Sequence, residues 1–243
     1  MLHAGLIGTP LGHSSSADYF HQHHPDCRYR LYDMASLDTL RQWVVQEHLD
    51  GFNVTIPYKR SVMAYLDTID PIAQCIGAVN CVSVHRNGSD ITLVGHNTDY
   101  WAFEETLRPL LQPWHRQALV LGTGGASQAV CFALREMDVA VTRVSRTPKD
   151  GDTVGYDSLP TLFDSHLLLV NATPVGMWPE VDATPVTDMR GIGTRHLCYD
   201  LIYNPAETRW LHDAAQQGAN VCNGLAMLHR QADLSYALWK QNL

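Results

Sequence analysis

The sequence predicts an α/β protein of two domains, an N-terminal α/β unit and a Rossmann-like dinucleotide-binding unit. Three observations carry this expectation. An apolar run at residues 118–121 leads through Gly122-Thr123-Gly124-Gly125-Ala126-Ser127 into a helical pattern, the strand, glycine turn and helix order that a dinucleotide fingerprint requires. Short strand-like runs alternate with helical segments on both sides of it. A chain of 243 residues is long enough for two modest domains.

Residues 2–7 read as a short apolar strand, and Gly8-Thr9-Pro10-Leu11-Gly12 as a turn. His13-Ser14-Ser15-Ser16 follows, before an apolar pair at Tyr19 and Phe20. One serine suffices as a helix N-cap. The spare hydroxyls sit at a strand's carboxyl end, where open α/β sheets bind ligands. Residues 28–34 read as a second strand. Residues 36–47 read as a helix capped by Ser36, with Leu37, Leu40, Trp43 and Val44 on one face.

The stretch Gly51-Phe52-Asn53-Val54-Thr55-Ile56-Pro57-Tyr58-Lys59 organises the first half. Phe52, Val54 and Ile56 alternate with Asn53 and Thr55, so the two polar residues share a strand face. Pro57 starts a helix well, which puts Lys59 in its first turn and the helix on through Val62, Met63 and Leu66. An edge strand with outward polar residues is the plainer reading. A lysine opposing the helix dipole argues against it. Another helix begins near Asp70-Pro71. Gly77-Ala78-Val79-Asn80 leads into a hairpin of residues 81–85 and 91–94 around an Asn87-Gly88 turn. Asn97-Thr98-Asp99 then opens a helix through Trp101, Phe103 and Leu107, and Asp99 also suits a simple N-cap.

Residues 109–117 mark a domain boundary. After the glycine turn and its helix, residues 139–145 form the next strand, ending Ser145-Arg146-Thr147-Pro148-Lys149. An NAD-binding unit ends this strand with an acid for the ribose hydroxyl. Two cations and two hydroxyls instead suit a 2′-phosphate, so the expected cofactor is NADP. The segment from 146 to 171 is short for a crossover helix; only 158–163 suits one, and Pro160 interrupts it. Strands follow at 167–170 and 196–201, the second leading past Asp200 to Tyr203-Asn204-Pro205. A helix at 207–217, a strand at 219–222 and a terminal helix from Asn223-Gly224 complete the chain, with Gln231 two turns into the last.

Bulk properties narrow the function classes. A net charge of −8 without a basic patch argues against nucleic-acid binding. No signal peptide and no membrane-length apolar run are visible, so the expectation is a cytoplasmic protein without a membrane partner. The 6 cysteines are dispersed within apolar segments and read as reduced core residues. His21, His23 and His24 form no ligand set with nearby acids, so no metal is expected.

Along nearly its whole length the chain resembles the shikimate dehydrogenase family. The matching stretches are His13-Ser14-Ser15-Ser16, residues 53–59, Gly77-Ala78-Val79-Asn80, Asn97-Thr98-Asp99, residues 122–127, Ser145-Arg146-Thr147, residues 171–177 and residues 224–231. The resemblance implies a substrate domain of residues 1–102 plus 224–243 and an NADP-binding Rossmann domain of residues 103–223. It implies reversible NADPH-dependent reduction of 3-dehydroshikimate to shikimate, a step towards chorismate and the aromatic amino acids, by a monomer or homodimer. Lys59 and Asp99 match the family's catalytic pair. Ser14 and Ser16 match ligands of the substrate carboxylate, with Tyr203 nearby. Asn53, Thr55, Asn80, Asp99 and Gln231 match positions that hold ring hydroxyls. Gly122, Gly124, Gly125, Ala126 and Ser127 match a pyrophosphate cradle. Ser145 belongs to the matching turn, in which Arg146, Thr147 and Lys149 would meet the adenosine phosphate, while Met177 and Gly224 would lie by the nicotinamide. Ala17, Ala102 and Pro174 depart from the family's usual proline, glycine and serine. Three alternatives share the architecture: a quinate/shikimate dehydrogenase using NAD, a non-catalytic dinucleotide-sensing regulator, and a methylenetetrahydrofolate dehydrogenase. The last does not explain the serines with Gln231.

Overall fold

The computed structural model describes residues 1–11, 15–88, 90–149, 151 and 153–241. They form two compact units, Met1–Asp99 with His229–Leu243, and Tyr100–Leu228.

The first unit runs β1 (Leu2–Gly8), α1 (Ser15–His23), β2 (Cys27–Asp33), α2 (Leu40–Gln46), β3 (Gly51–Val54), a 3-10 turn (Ser61–Tyr65), β4 (Thr68–Ile69), α3 (Pro71–Ile76), β5 (Cys81–Asn87) and β6 (Asp90–His96), then enters α4 (Thr98–Leu107). Its sheet has the order β2-β1-β3-β5-β6-β4. β1 pairs parallel with β2 and β3, and β5 pairs antiparallel with β3 and β6. Alternation along the strands sends their side chains to two cores. Ile7, Phe52, Val54, Val82 and Val84 meet Leu40 and Val44 of α2 on one face. Leu2, Ala4, Leu6 and Cys81 meet Phe20 of α1 with Ala232 and Trp239 of the last helix on the other. The Trp239 indole N–H donates to the Val82 carbonyl at 3.0 Å, which pins that helix onto the sheet.

The second unit continues through a 3-10 turn (Arg108–Leu110), β7 (Gln117–Leu121), α5 (Gly125–Glu136), β8 (Ala140–Val144), β9 (Thr153–Val154), a 3-10 turn (Tyr156–Ser158), α6 (Leu159–Leu162), β10 (Leu168–Asn171), β11 (Leu197–Asp200), α7 (Arg209–Gln216) and β12 (Asn220–Cys222), to α8 (Leu225–Lys240). All its strands are parallel, in the order β12-β11-β10-β7-β8-β9. Strands of this kind are covered on both faces, which is why 118–121 is unbroken apolar sequence. Leu119, Leu121, Leu169 and Cys198 pack with Phe163, Trp210 and Leu211.

Several expectations are corrected. Residues 56–60 form turns before the 3-10 segment, so Lys59 lies in no α-helical first turn and the helix-dipole argument about it lapses. α2 starts at Leu40, because the Ser36 hydroxyl bonds both the backbone N–H and the carboxylate of Asp38 and makes a local turn instead of a cap. Asn87 pairs with Asp90 as the last residue of β5, and Gly88, at φ 63°, takes the turn. Pro160 lies in the first turn of α6, where its missing N–H costs nothing, rather than breaking it. The compact units divide inside α4, not in the proline-bearing segment 109–117. All six cysteines are free, but Cys75 is exposed rather than a core residue. β4 and β9 were not anticipated; two residues are too few for an alternation to register. Among the described residues no helix is long and apolar enough to cross a membrane, and no group of three or more His, Cys, Asp or Glu side chains is placed to hold a metal ion.

Candidate active site

The first unit gathers a catalytic-type pair at the carboxyl end of β3 and the start of α4. The chain leaves β3 at Val54 and turns, and the Val79 N–H fixes the Lys59 carbonyl at 2.7 Å. The Lys59 ammonium donates to Asp99 Oδ2 at 2.6 Å. Both side chains are largely covered, at 17% and 9% exposure, which limits screening by water. Asn80 holds the other carboxylate oxygen, donating to Asp99 Oδ1 at 2.8 Å. Its second amide proton goes to the Thr98 hydroxyl at 2.9 Å, and its own oxygen accepts the Thr98 N–H at 2.7 Å. The carboxylate is thus gripped at both oxygens and cannot swing away from the ammonium.

Behind this pair runs a buried polar chain. Asn53 shares its strand face with Cys81 and the last helix, as the period of two dictates. Its amide donates to the Asn80 carbonyl at 3.1 Å and to Ser235 Oγ at 2.8 Å, and its oxygen accepts the Tyr29 hydroxyl at 2.9 Å. Asn53 is thus buried with both amide protons engaged within the domain, while its oxygen, with one donor upon it, keeps a second lone pair. Asn80 is engaged in the same way, as the clamp on Asp99. Ser235 also contacts the Thr98 hydroxyl at 3.3 Å and donates to the Gln231 carbonyl at 2.8 Å, linking α8 to the pair. Ser235, Thr98 and Tyr29 were not singled out from sequence. Ser235 lies one helical turn beyond Gln231 and so on the same face, which is the signal that could have found it.

Thr55 follows β3 directly, half-buried, and its N–H is held by the Ile7 carbonyl at 2.9 Å. Ser16 is buried in α1, and Gln231 is half-buried in α8. Ser14, with His13, lies outside the described residues.

The second unit holds the remaining candidates at the carboxyl ends of its strands. Gly122 adopts φ 102° and passes against Thr173, a conformation that favours glycine. Gly124 caps α5 with no side-chain hydrogen bond, and a Cβ there would meet nothing within 4 Å. Gly125 and Ala126 form the first turn of that helix. The positive end of a twelve-residue helix, without a side-chain cap and beside that open space, fits a pyrophosphate. The buried Ser127 hydroxyl donates to the Gly122 carbonyl at 2.7 Å and braces the turn. β8 runs parallel beside β7, with Val144 opposite Leu121, so Ser145, Arg146, Thr147 and Lys149 follow at the neighbouring strand end. Ser145 Oγ accepts the Thr147 N–H at 3.2 Å and shapes the turn, while Arg146, Thr147 and Lys149 are exposed. Exposed cations in place of an acid fit the phosphate of NADP. Met177 is exposed and Tyr203 half-buried. The Gly224 N–H bonds the Ile202 carbonyl at 3.0 Å, and a Cβ on Gly224 would lie 2.1 Å from the Leu201 oxygen. Only glycine fits that approach.

Residues 6–82 match the family described as shikimate dehydrogenase substrate binding domain. A shikimate dehydrogenase (NADP+) of Caldanaerobacter subterraneus subsp. tengcongensis is 38% identical over 257 residues, covering 97% of this chain and 90% of that protein. The chain belongs to the shikimate dehydrogenase family. Among solved structures, the shikimate 5-dehydrogenase of Thermus thermophilus in complex with NADP(H) and shikimate matches with a TM-score of 0.85 at 34% identity, over 99% of this chain and 94% of that one. A chorismate mutase/shikimate 5-dehydrogenase fusion protein from Clostridium acetobutylicum matches with a TM-score of 0.87 at 33% identity, over 99% and 91%. The shikimate dehydrogenase fold therefore spans this chain.

Proposed function

We propose that the protein catalyses the reversible, NADPH-dependent reduction of 3-dehydroshikimate to shikimate, in chorismate and aromatic amino acid biosynthesis. The observation that carries this reading is the clamped Lys59–Asp99 contact at 2.6 Å, in a chain of this family. NADPH, when bound, supplies the hydride delivered to C3 of the substrate. In that direction negative charge grows on the substrate's carbonyl oxygen. Lys59 stabilises this charge and passes the oxygen a proton, general acid catalysis with electrostatic support. Asp99 orients the ammonium, and Asn80 orients Asp99.

Ser14 and Ser16 take the substrate carboxylate, with Tyr203 beside it. Asn53, Thr55, Asn80, Asp99 and Gln231 take ring hydroxyls. Gly122, Gly124, Gly125, Ala126 and Ser127 cradle the pyrophosphate: Gly122, whose N–H is held by the Val144 carbonyl, by its turn, and the others through backbone N–H groups, with the Ser127 hydroxyl bracing the turn. Arg146, Thr147 and Lys149 meet the 2′-phosphate, and Met177 and Gly224 lie by the nicotinamide. The substrate domain comprises residues 1–102 and 224–243. The enzyme acts in the cytoplasm as a monomer or homodimer.

A coupled absorbance assay on the purified chain tests this reading. Shikimate should be oxidised with NADP+ faster than with NAD+, and faster than quinate with either cofactor. Quinate oxidation favoured with NAD+ would overturn the specificity. Cofactor binding with no oxidation of either acid would mean a sensor rather than an enzyme.

A further inference from the structure

The second unit contains a fully buried carboxylate that the proposed chemistry does not use. Asp200 is the last residue of β11. Its Oδ1 accepts the Asn171 amide and the Ile202 N–H, each at 3.0 Å, and its Oδ2 accepts the Thr208 hydroxyl at 2.7 Å. Asn171 ends β10, Ile202 opens the loop 201–208, and Thr208 closes that loop by capping α7 through the Leu211 N–H at 3.3 Å. One side chain therefore ties together two strand ends and a helix start.

The ties extend outward from Asn171. Its oxygen accepts the N–H and the hydroxyl of Thr173, at 3.0 and 2.7 Å, and the Thr173 hydroxyl accepts the Val175 N–H at 3.2 Å. The loop 172–177 is thus folded on a residue that Asp200 holds. The Trp178 N–H reaches the Asn204 carbonyl at 3.1 Å, and the Gly224 N–H reaches Ile202. Burial pushes the Asp200 carboxyl up, to about 6, against three donors that pull it down. The Thr208 hydroxyl donates to Asp200 and accepts from the Leu211 N–H.

We propose that Asp200 is a positioning residue for the nicotinamide half of the cofactor site, fixing the loops that carry Met177 and Tyr203 and the turn at Gly224. The proposal rests on the reading of the protein as an NADP-dependent dehydrogenase. Asparagine in its place puts a neutral NH2 group where one carboxylate oxygen accepted, so the ties lose their charge-assisted character without a change of size.

Titration calorimetry with two ligands tests this. Adenosine 2′,5′-bisphosphate carries only the phosphate-bearing adenosine half, which the glycine turn and Arg146 receive. NADP+ carries both halves. Asp200→Asn should leave the bisphosphate's Kd unchanged and weaken NADP+ by about tenfold, the scale of one lost hydrogen bond to a charged group. Thr208→Val should show the same split with a smaller loss, and Thr208→Ser, which keeps the hydroxyl, should bind as the parent does. This pair decides the matter if Asp200→Asn does not fold. Equal weakening of both ligands, or of neither, would overturn the proposal. If the parent protein binds no NADP+, the dehydrogenase reading itself fails, and that outcome is separable from the others.

Discussion

Ser235 shows how much of this site rests on a residue with no part in the chemistry. Its hydroxyl joins the Asn53 amide, the Thr98 hydroxyl and the Gln231 carbonyl inside the protein. Ser235→Ala leaves a buried amide proton and a buried hydroxyl with one partner fewer. It should lower unfolding stability by about 1–3 kcal/mol, the usual cost of an unsatisfied buried polar group. Urea denaturation measures this, and an unchanged midpoint would mean that the chain of bonds is slack. At this scale the sequence was only partly legible. The alternation around Asn53 showed which face it takes, but not that the face meets α8, because Ser235 lies 182 residues further along the chain. Lys59 and Asp99 were legible as a pair through the family resemblance, since nothing local dictates their contact.

At the scale of elements, the period of side chains located most strands, and turn chemistry refined their ends. The parallel strands β7, β8, β10 and β11 were readable because burial on both faces leaves unbroken apolar runs. Short elements were not: β4 and β9 have two residues each, and the 3-10 segment after Lys59 resembles a helix start in sequence. The end of β8 carries its own prediction. Arg146 is exposed in the turn beside the glycine loop, where an acid would select NAD. Arg146→Ala should raise the Michaelis constant for NADP+ by about tenfold, the scale of a lost charge-assisted bond. The constant for NAD+ should hardly move. If the NADP+ constant is unaffected, the phosphate is read elsewhere.

On the scale of the whole molecule, the first unit is discontinuous in sequence. It needs the final helix, whose Trp239 and Ala232 complete one of its two cores. The family resemblance implied that return of the chain; composition and periodicity did not. In the proposed reaction one ammonium, clamped through Asp99 and Asn80, handles the charge and the proton at the substrate oxygen. The most direct test is steady-state turnover of Lys59→Ala, with NADPH affinity measured separately by fluorescence. Turnover should fall on the order of 10²-fold or more, the range for a lost proton transfer, while NADPH affinity stays at the parent value. Near-parent turnover in that variant would contradict the account.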